Sequence, residues 1–276
     1  AVTVANDSIY GSQTGDQTRV GYSYGQPLLM YYAPLSYVPA FLARLIGAGY
    51  VTSFEFASGL ALVLSSLAMY LLMRSLAGRI AAVAAALVYA ALPYQMVDLY
   101  VRGALAETWA FVWLPLIVWC LVRATRHARG QDTRADGWRW TAVGGLAFAG
   151  LVTTHNVTAL LFLPAFVGLT AVVALLKRDG RLYTVVHGAV MLLLGLGLSA
   201  WFWLPAISER GLVQIDQTLE PKLFASFFLT GWIPFRLDPA YDYTQPVSTA
   251  LDYPIFWPQL GLVQAMVSLA GLAAVV

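Results

Sequence analysis

Seven long apolar runs dominate this sequence and leave few folds open to it. They cover residues 53–74, 79–97, 104–123, 140–155, 157–176, 184–206 and 257–276. Several approach the roughly 20 residues that an α-helix needs to cross the hydrocarbon core of a bilayer. Only 11% of the residues are charged, against about 25% in an ordinary soluble domain. The pattern therefore predicts an all-α polytopic membrane protein with about seven transmembrane helices.

No soluble domain interrupts these runs, so we expect residues 1–276 to form a single membrane domain. Residues 33–47 combine prolines, tyrosines and Arg44, which favours an amphipathic helix lying in the membrane interface, with a true span as the alternative. The predicted order is an outer loop (1–32), the interfacial helix (33–47), six spans (53–206), a second outer loop (207–256) and a seventh span (257–276). Because the sequence opens at Ala1 and stops inside an apolar run, we expect it to be part of a longer chain.

The basic residues predict an orientation for these helices. If the runs alternate in direction, the loops 74–79, 123–139 and 177–181 fall on one side of the membrane and hold ten of the sixteen Lys and Arg residues. With three acidic residues their net charge is +7, whereas the remaining six basic and eleven acidic residues give −5. By the positive-inside rule the basic loops are cytoplasmic and residues 1–32, 98–107 and 207–256 are outside.

One outer segment places three ionisable side chains between two apolar runs. Asp98 and Arg102 are four residues apart, so on a helix they share a face and can pair, and Glu107 follows a little over one turn later. Ionisable groups at a membrane are costly, which makes this cluster a candidate for function. The alternative is an ion pair that merely ends a helix.

The outer side also holds His155 and Asn156, between the ends of two apolar runs. Asp98, Glu107 and His155 are our candidate catalytic residues, since a poorly solvated carboxylate can act as a general base and histidine as a donor or proton carrier. Arg102, Tyr100 and Asn156 are our candidate substrate-binding residues, with the planar guanidinium suited to bidentate contact with a phosphate. Arg102 could instead only neutralise Asp98, and His155 could only cap a helix. We find no metal-ligand spacing, although the need for a divalent metal stays open.

Four segments relate the chain to known membrane proteins. They are Gly21–Tyr37 (GYSYGQPLLMYYAPLSY), Tyr94–Glu107 (YQMVDLYVRGALAE), Thr154–Asn156 (THN) and Ser199–Ala206 (SAWFWLPA). In them the chain resembles the 6-pyruvoyl-tetrahydropterin synthase-related membrane proteins of bacteria and archaea. The first segment is also similar to the start of GT-C membrane glycosyltransferases, in which an amphipathic helix precedes the second span.

The resemblance implies a GT-C-like enzyme of the bacterial or archaeal plasma membrane. Such an enzyme transfers sugar from a polyprenyl-phosphate donor at the outer face, with an acidic residue of the first outer loop as base. Its acid-and-histidine motif has no clear counterpart in residues 1–20, where Asp7 and Asp16 are poor substitutes. From the apolar runs and the resemblance together, the expected partners are membrane lipids, a polyprenyl phosphate and other membrane subunits. The alternative is a non-catalytic subunit of a larger membrane complex, and the net charge of +2 gives no reason to expect a nucleic acid.

Overall fold

The computed structural model describes residues 32–126, 134–176 and 180–209. Within these ranges the chain is helical and forms no strand. A 3₁₀ turn at Leu35–Tyr37 leads into α1, and a π-helical turn at Asp98–Arg102 follows α4. The helices are α1 (Val38–Leu45), α2 (Tyr50–Leu76), α3 (Arg79–Ala90), α4 (Pro93–Val97), α5 (Leu105–Ala124), α6 (Arg134–Thr154), α7 (Asn156–Leu176), α8 (Arg181–Leu198) and α9 (Ala200–Ser208).

The long helix α2 packs through small side chains. Its buried face repeats every three or four residues, the spacing that keeps side chains on one side of a helix. The face consists of Ser53, Ala57, Ser58, Ala61, Ser65, Ala68 and Leu72. Ser53 and Ser65 donate their hydroxyls to carbonyls of the preceding turn, so these groups are satisfied without a polar partner on another helix. Small residues let helix backbones approach closely in a membrane, and α2 packs closely against α3 and α5.

The main core lies among α5, α6, α7 and α8. Its largest fully buried side chains come from all four helices and include Ile117, Phe148, Phe166 and Met191. The Phe148 and Phe166 rings meet edge to face with centroids 5.6 Å apart, one of the arrangements that aromatic rings prefer. Helix α6 occupies the centre because it packs against both α5 and α8.

The described residues hold four helices long and apolar enough to cross a membrane: α2, α5, α7 and α8. A fifth candidate is α3 together with Pro93–Arg102, a pair bent by 42° at the intervening break. The expected runs 53–74, 104–123 and 157–176 thus become single helices, and the all-α prediction is confirmed. Helix α6, which covers the run 140–155, is not among the candidate spans, and the expected seventh span at 257–276 lies outside the described residues.

Two further predicted segments, 33–47 and 184–206, can be compared with the observed helices. Residues 35–45 form a short apolar helix, as expected for part of the segment 33–47. The run 184–206 is divided between α8 and α9, because the backbone leaves the helix at Ser199.

Arg126 Nη2 donates to the carbonyl oxygen of Ser75 at 2.9 Å, so the C-terminal ends of α2 and α5 lie at the same end of the bundle.

Candidate functional site

The candidate site begins where the bent pair of helices ends. Asp98–Arg102 wind more widely than an α-helix, and such π-helical turns are frequent at functional sites. Gly103 closes the turn with a φ of 58°, a left-handed conformation that glycine adopts without steric cost. The N–H of Ala104 then donates to the carbonyl oxygen of Asp98 at 2.9 Å. The turn thereby directs the chain into α5 immediately after the charged residues.

Arg102 joins the two carboxylates of this segment. Its Nη1 lies 2.5 Å from Asp98 Oδ1 and 2.8 Å from Glu107 Oε2. The side chain of Asp98 is fully buried, that of Glu107 is 16% exposed and that of Arg102 is 39% exposed. The expected pairing of Asp98 with Arg102 is therefore present, and the same guanidinium also fastens the start of α5 to the turn.

Tyr94 completes the cluster, and we did not predict it from the sequence. Its hydroxyl donates to Glu107 Oε1 and lies 3.2 Å from Arg102 Nη1, which donates to it. The signal was available, since Tyr94 precedes Asp98 by four residues and so shares its helix face. We call Tyr94, Asp98, Arg102 and Glu107 the charged cluster from here on.

Several polar atoms in and beside the charged cluster have no partner among the described residues. Arg102 uses only Nη1, so its Nε and Nη2 groups make no hydrogen bond within that part of the chain. Asp98 Oδ2 and both amide atoms of Gln95, a buried residue one turn earlier, are also unpaired there. Buried polar groups usually find a partner, so the unpaired atoms of Asp98 and Gln95 are unusual, whereas Arg102 has a side chain that is 39% exposed and is accessible to a ligand.

His155 occupies the N-cap position of α7. Its Nδ1 accepts a hydrogen bond from the backbone N–H of Thr158 at 3.4 Å and lies 2.6 Å from the Thr158 hydroxyl. Burial lowers the pKa of His155 below its ordinary value, while Glu107 raises this pKa and Arg102 lowers it. The turn that contains His155 packs against α5, the helix that carries Glu107, because the hydroxyl of Thr154 accepts a hydrogen bond from Trp113 Nε1 at 2.9 Å.

The other two predicted binding residues lie apart from these contacts. Tyr100 is 75% exposed and makes none of the cluster's hydrogen bonds. Asn156 is exposed, and its Oδ1 accepts from the N–H of Val157 at 3.0 Å. Within the described ranges, no group of three or more His, Cys, Asp or Glu side chains could hold a metal ion.

Comparison with known proteins identifies one family whose profile covers most of the chain. A profile described as "6-pyruvoyl-tetrahydropterin synthase related domain; membrane protein" matches residues 29–273. The chain belongs to this family. The family assignment predicted from the four segments is thus confirmed, and the matched range includes every residue of the charged cluster and the His155 turn. No curated protein and no solved structure matches the chain.

Proposed function

We propose that this membrane protein binds the phosphate of a polyprenyl-phosphate-linked sugar at the charged cluster and transfers the sugar at the outer face of the plasma membrane. The observation that carries the proposal is the unused edge of the Arg102 guanidinium. Nη1 is held by the cluster, while Nε and Nη2 have no partner among the described residues. Two parallel N–H groups on one edge match two oxygens of a phosphate.

The two carboxylates would have different tasks because their accessibility differs. Asp98 is fully buried, so its task is to fix the orientation of Arg102 from the interior of the protein. Glu107 is partly exposed and its two oxygens are held by Tyr94 and Arg102, so it can accept a hydrogen bond from an acceptor hydroxyl. A side chain fixed in this way positions a reactant without further reorganisation.

The chemical step would then be a displacement at the anomeric carbon of the sugar. The acceptor oxygen forms a bond to that carbon, and its proton passes to the Glu107 carboxylate. The bond from the carbon to the phosphate oxygen breaks, and the electron pair stays on the leaving lipid phosphate. Arg102 would stabilise this developing charge, which is the largest contribution that many active sites make.

A non-catalytic membrane subunit is the second candidate. The observation that favours it is that Asp98, Arg102 and Glu107 pair with one another. A network of this kind can have a purely structural role, namely to fasten α5 to the preceding turn. The two candidates differ in the expected binding of a lipid phosphate, because a subunit of this kind has no need for that ligand.

Binding of a polyprenyl monophosphate tests the proposal. In nanodiscs, we expect Arg102→Lys to bind this lipid about tenfold more weakly than the wild type. Lysine keeps the positive charge beside Asp98 but loses the two-donor edge. The matched control is Arg139→Lys, which alters an arginine whose side chain is 82% exposed and pairs with Asp136 at 3.7 Å.

The neutral polyprenol, measured in parallel, shows whether the phosphate is what is recognised. Equal binding of polyprenol and polyprenyl phosphate, or equal binding by wild type and Arg102→Lys, would exclude a phosphate site at Arg102. Phosphate-dependent binding should be followed by release of sugar from a polyprenyl-phosphate-linked donor. Absence of sugar release with every donor and acceptor tried would contradict the transfer step.

A further inference from the structure

The turn between α6 and α7 holds a side chain whose hydrogen-bonding role is fixed by its neighbours. His155 Nδ1 receives the backbone N–H of Thr158. A backbone N–H can only donate, so Nδ1 must be the acceptor and cannot carry the proton of a neutral ring. The Thr158 hydroxyl, 2.6 Å from the same nitrogen, then donates to it as well. In the neutral imidazole the proton therefore resides on Nε2.

The resulting Nε2–H group is available to a ligand. No described residue forms a hydrogen bond with Nε2, and the side chain is only partly buried. The ring is also held in place, because Thr158 belongs to the first turn of α7 and the preceding Thr154 accepts a hydrogen bond from Trp113 Nε1 at 2.9 Å. A donor of fixed direction loses little conformational entropy when it binds an acceptor.

We infer that His155 is a substrate-binding residue that donates its Nε2–H to the same phosphate that Arg102 holds, with Thr158 as the residue that sets the ring's tautomer. The inference rests on the proposed function. Of the two roles considered for His155, it selects that of a hydrogen-bond donor over that of a proton carrier. Two features support it: the acceptor role of Nδ1, and the hydrogen bond from Trp113 to Thr154, which joins this turn to the helix that carries Glu107. A neutral donor suits this place because the charged cluster already contains the cation that a lipid phosphate needs.

His155→Asn separates this role from helix capping. Asparagine is a good N-cap residue, so its side-chain oxygen can replace Nδ1 as the acceptor for Thr158. It has no group at the position of Nε2, so we expect polyprenyl monophosphate to bind about tenfold more weakly in nanodiscs, as for the loss of one hydrogen bond to a charged group. The thermal unfolding midpoint should stay within a few degrees of the wild type.

Nitrogen NMR gives a second readout that does not depend on affinity. The chain has three histidines, so a sample labelled with ¹⁵N-histidine gives few signals, and His155→Asn identifies those of His155. We expect an unprotonated Nδ1 and a protonated Nε2, with the Nε2 signal moving when polyprenyl monophosphate is added. Thr158→Val removes the hydroxyl donor but keeps the backbone N–H donor, so Nδ1 should stay unprotonated in this variant, and Thr158→Ser should preserve the wild-type spectrum.

The outcomes distinguish this inference from the proposed function. If Arg102→Lys loses binding while His155→Asn binds like the wild type, the phosphate site stands and the role of His155 is wrong. If Arg102→Lys itself binds normally, the proposed function fails. Should His155→Asn unfold, the wild-type spectrum decides: an Nε2 signal unmoved by the lipid phosphate, or a proton on Nδ1, would overturn the inference.

Discussion

Replacing Gly195 with alanine should destabilise the protein by about 1–3 kcal/mol, the usual cost of forcing an extra group into a packed core. A Cβ at this position would lie 2.5 Å from the Cβ of Phe148 and 3.0 Å from its Cγ. These atoms lie next to the α6 backbone and cannot rotate away as the end of a long side chain can. Helices α6 and α8 would have to separate, and Phe148 is fully buried between them.

The same helix offers a matched control. A Cβ at Gly197 would meet no atom within 4 Å, so Gly197→Ala should be neutral or slightly stabilising, because alanine favours the helix by up to about 1 kcal/mol over glycine. The measurement is the thermal unfolding midpoint in detergent, followed by tryptophan fluorescence. Equal loss of stability in the two variants would show that α6 and α8 do not pack as closely as described.

This helix contact illustrates what could not be predicted from the sequence. The apolar run 184–206 predicts a helix because length and composition suffice for that decision, and residues 184–198 of it lie in α8. Length and composition do not identify the partner of Gly195, since Phe148 is 47 positions away in the sequence and nearly every neighbour is apolar. Which faces meet depends on the shapes of small and large side chains across two helices, and a single sequence does not reveal that complementarity.

The candidate site shows the same division between local and distant information. The Asp98–Arg102 pair was predictable because the spacing of four residues decides it within one helical turn. The link from Tyr94 to Glu107 was missed because it joins two helices across the π-helical turn, and that turn has no clear signature in the sequence. Thr158 was missed for another reason: its spacing from His155 is local, but a histidine N-cap is uncommon among the residues that usually cap helices.

Replacing Arg102 with leucine should have the largest effect of any single change in the charged cluster. It would leave the buried Asp98 and the mostly buried Glu107 as two like charges without their shared cation. Breaking a buried ion pair from one side typically costs 3–5 kcal/mol. Because Arg102 itself is 39% exposed and solvent weakens its interactions, we expect a loss of about 2–4 kcal/mol in the free energy of unfolding.

A second substitution shows whether the unpaired charge is the cause. Adding Asp98→Asn to Arg102→Leu removes one of the two orphaned charges, so the double variant should recover at least half of the lost stability. The control is Arg139→Leu, which breaks the exposed pair with Asp136 and should cost no more than about 1 kcal/mol. If Arg102→Leu is as mild as this control, or if the double variant is no more stable than Arg102→Leu alone, the cluster does not hold α5 against the π-helical turn. The recovery matters for function as well, because it would show that Arg102 offsets the cost of burying the Asp98 carboxylate, and this pairing is the contact that orients Arg102 in the proposed phosphate site.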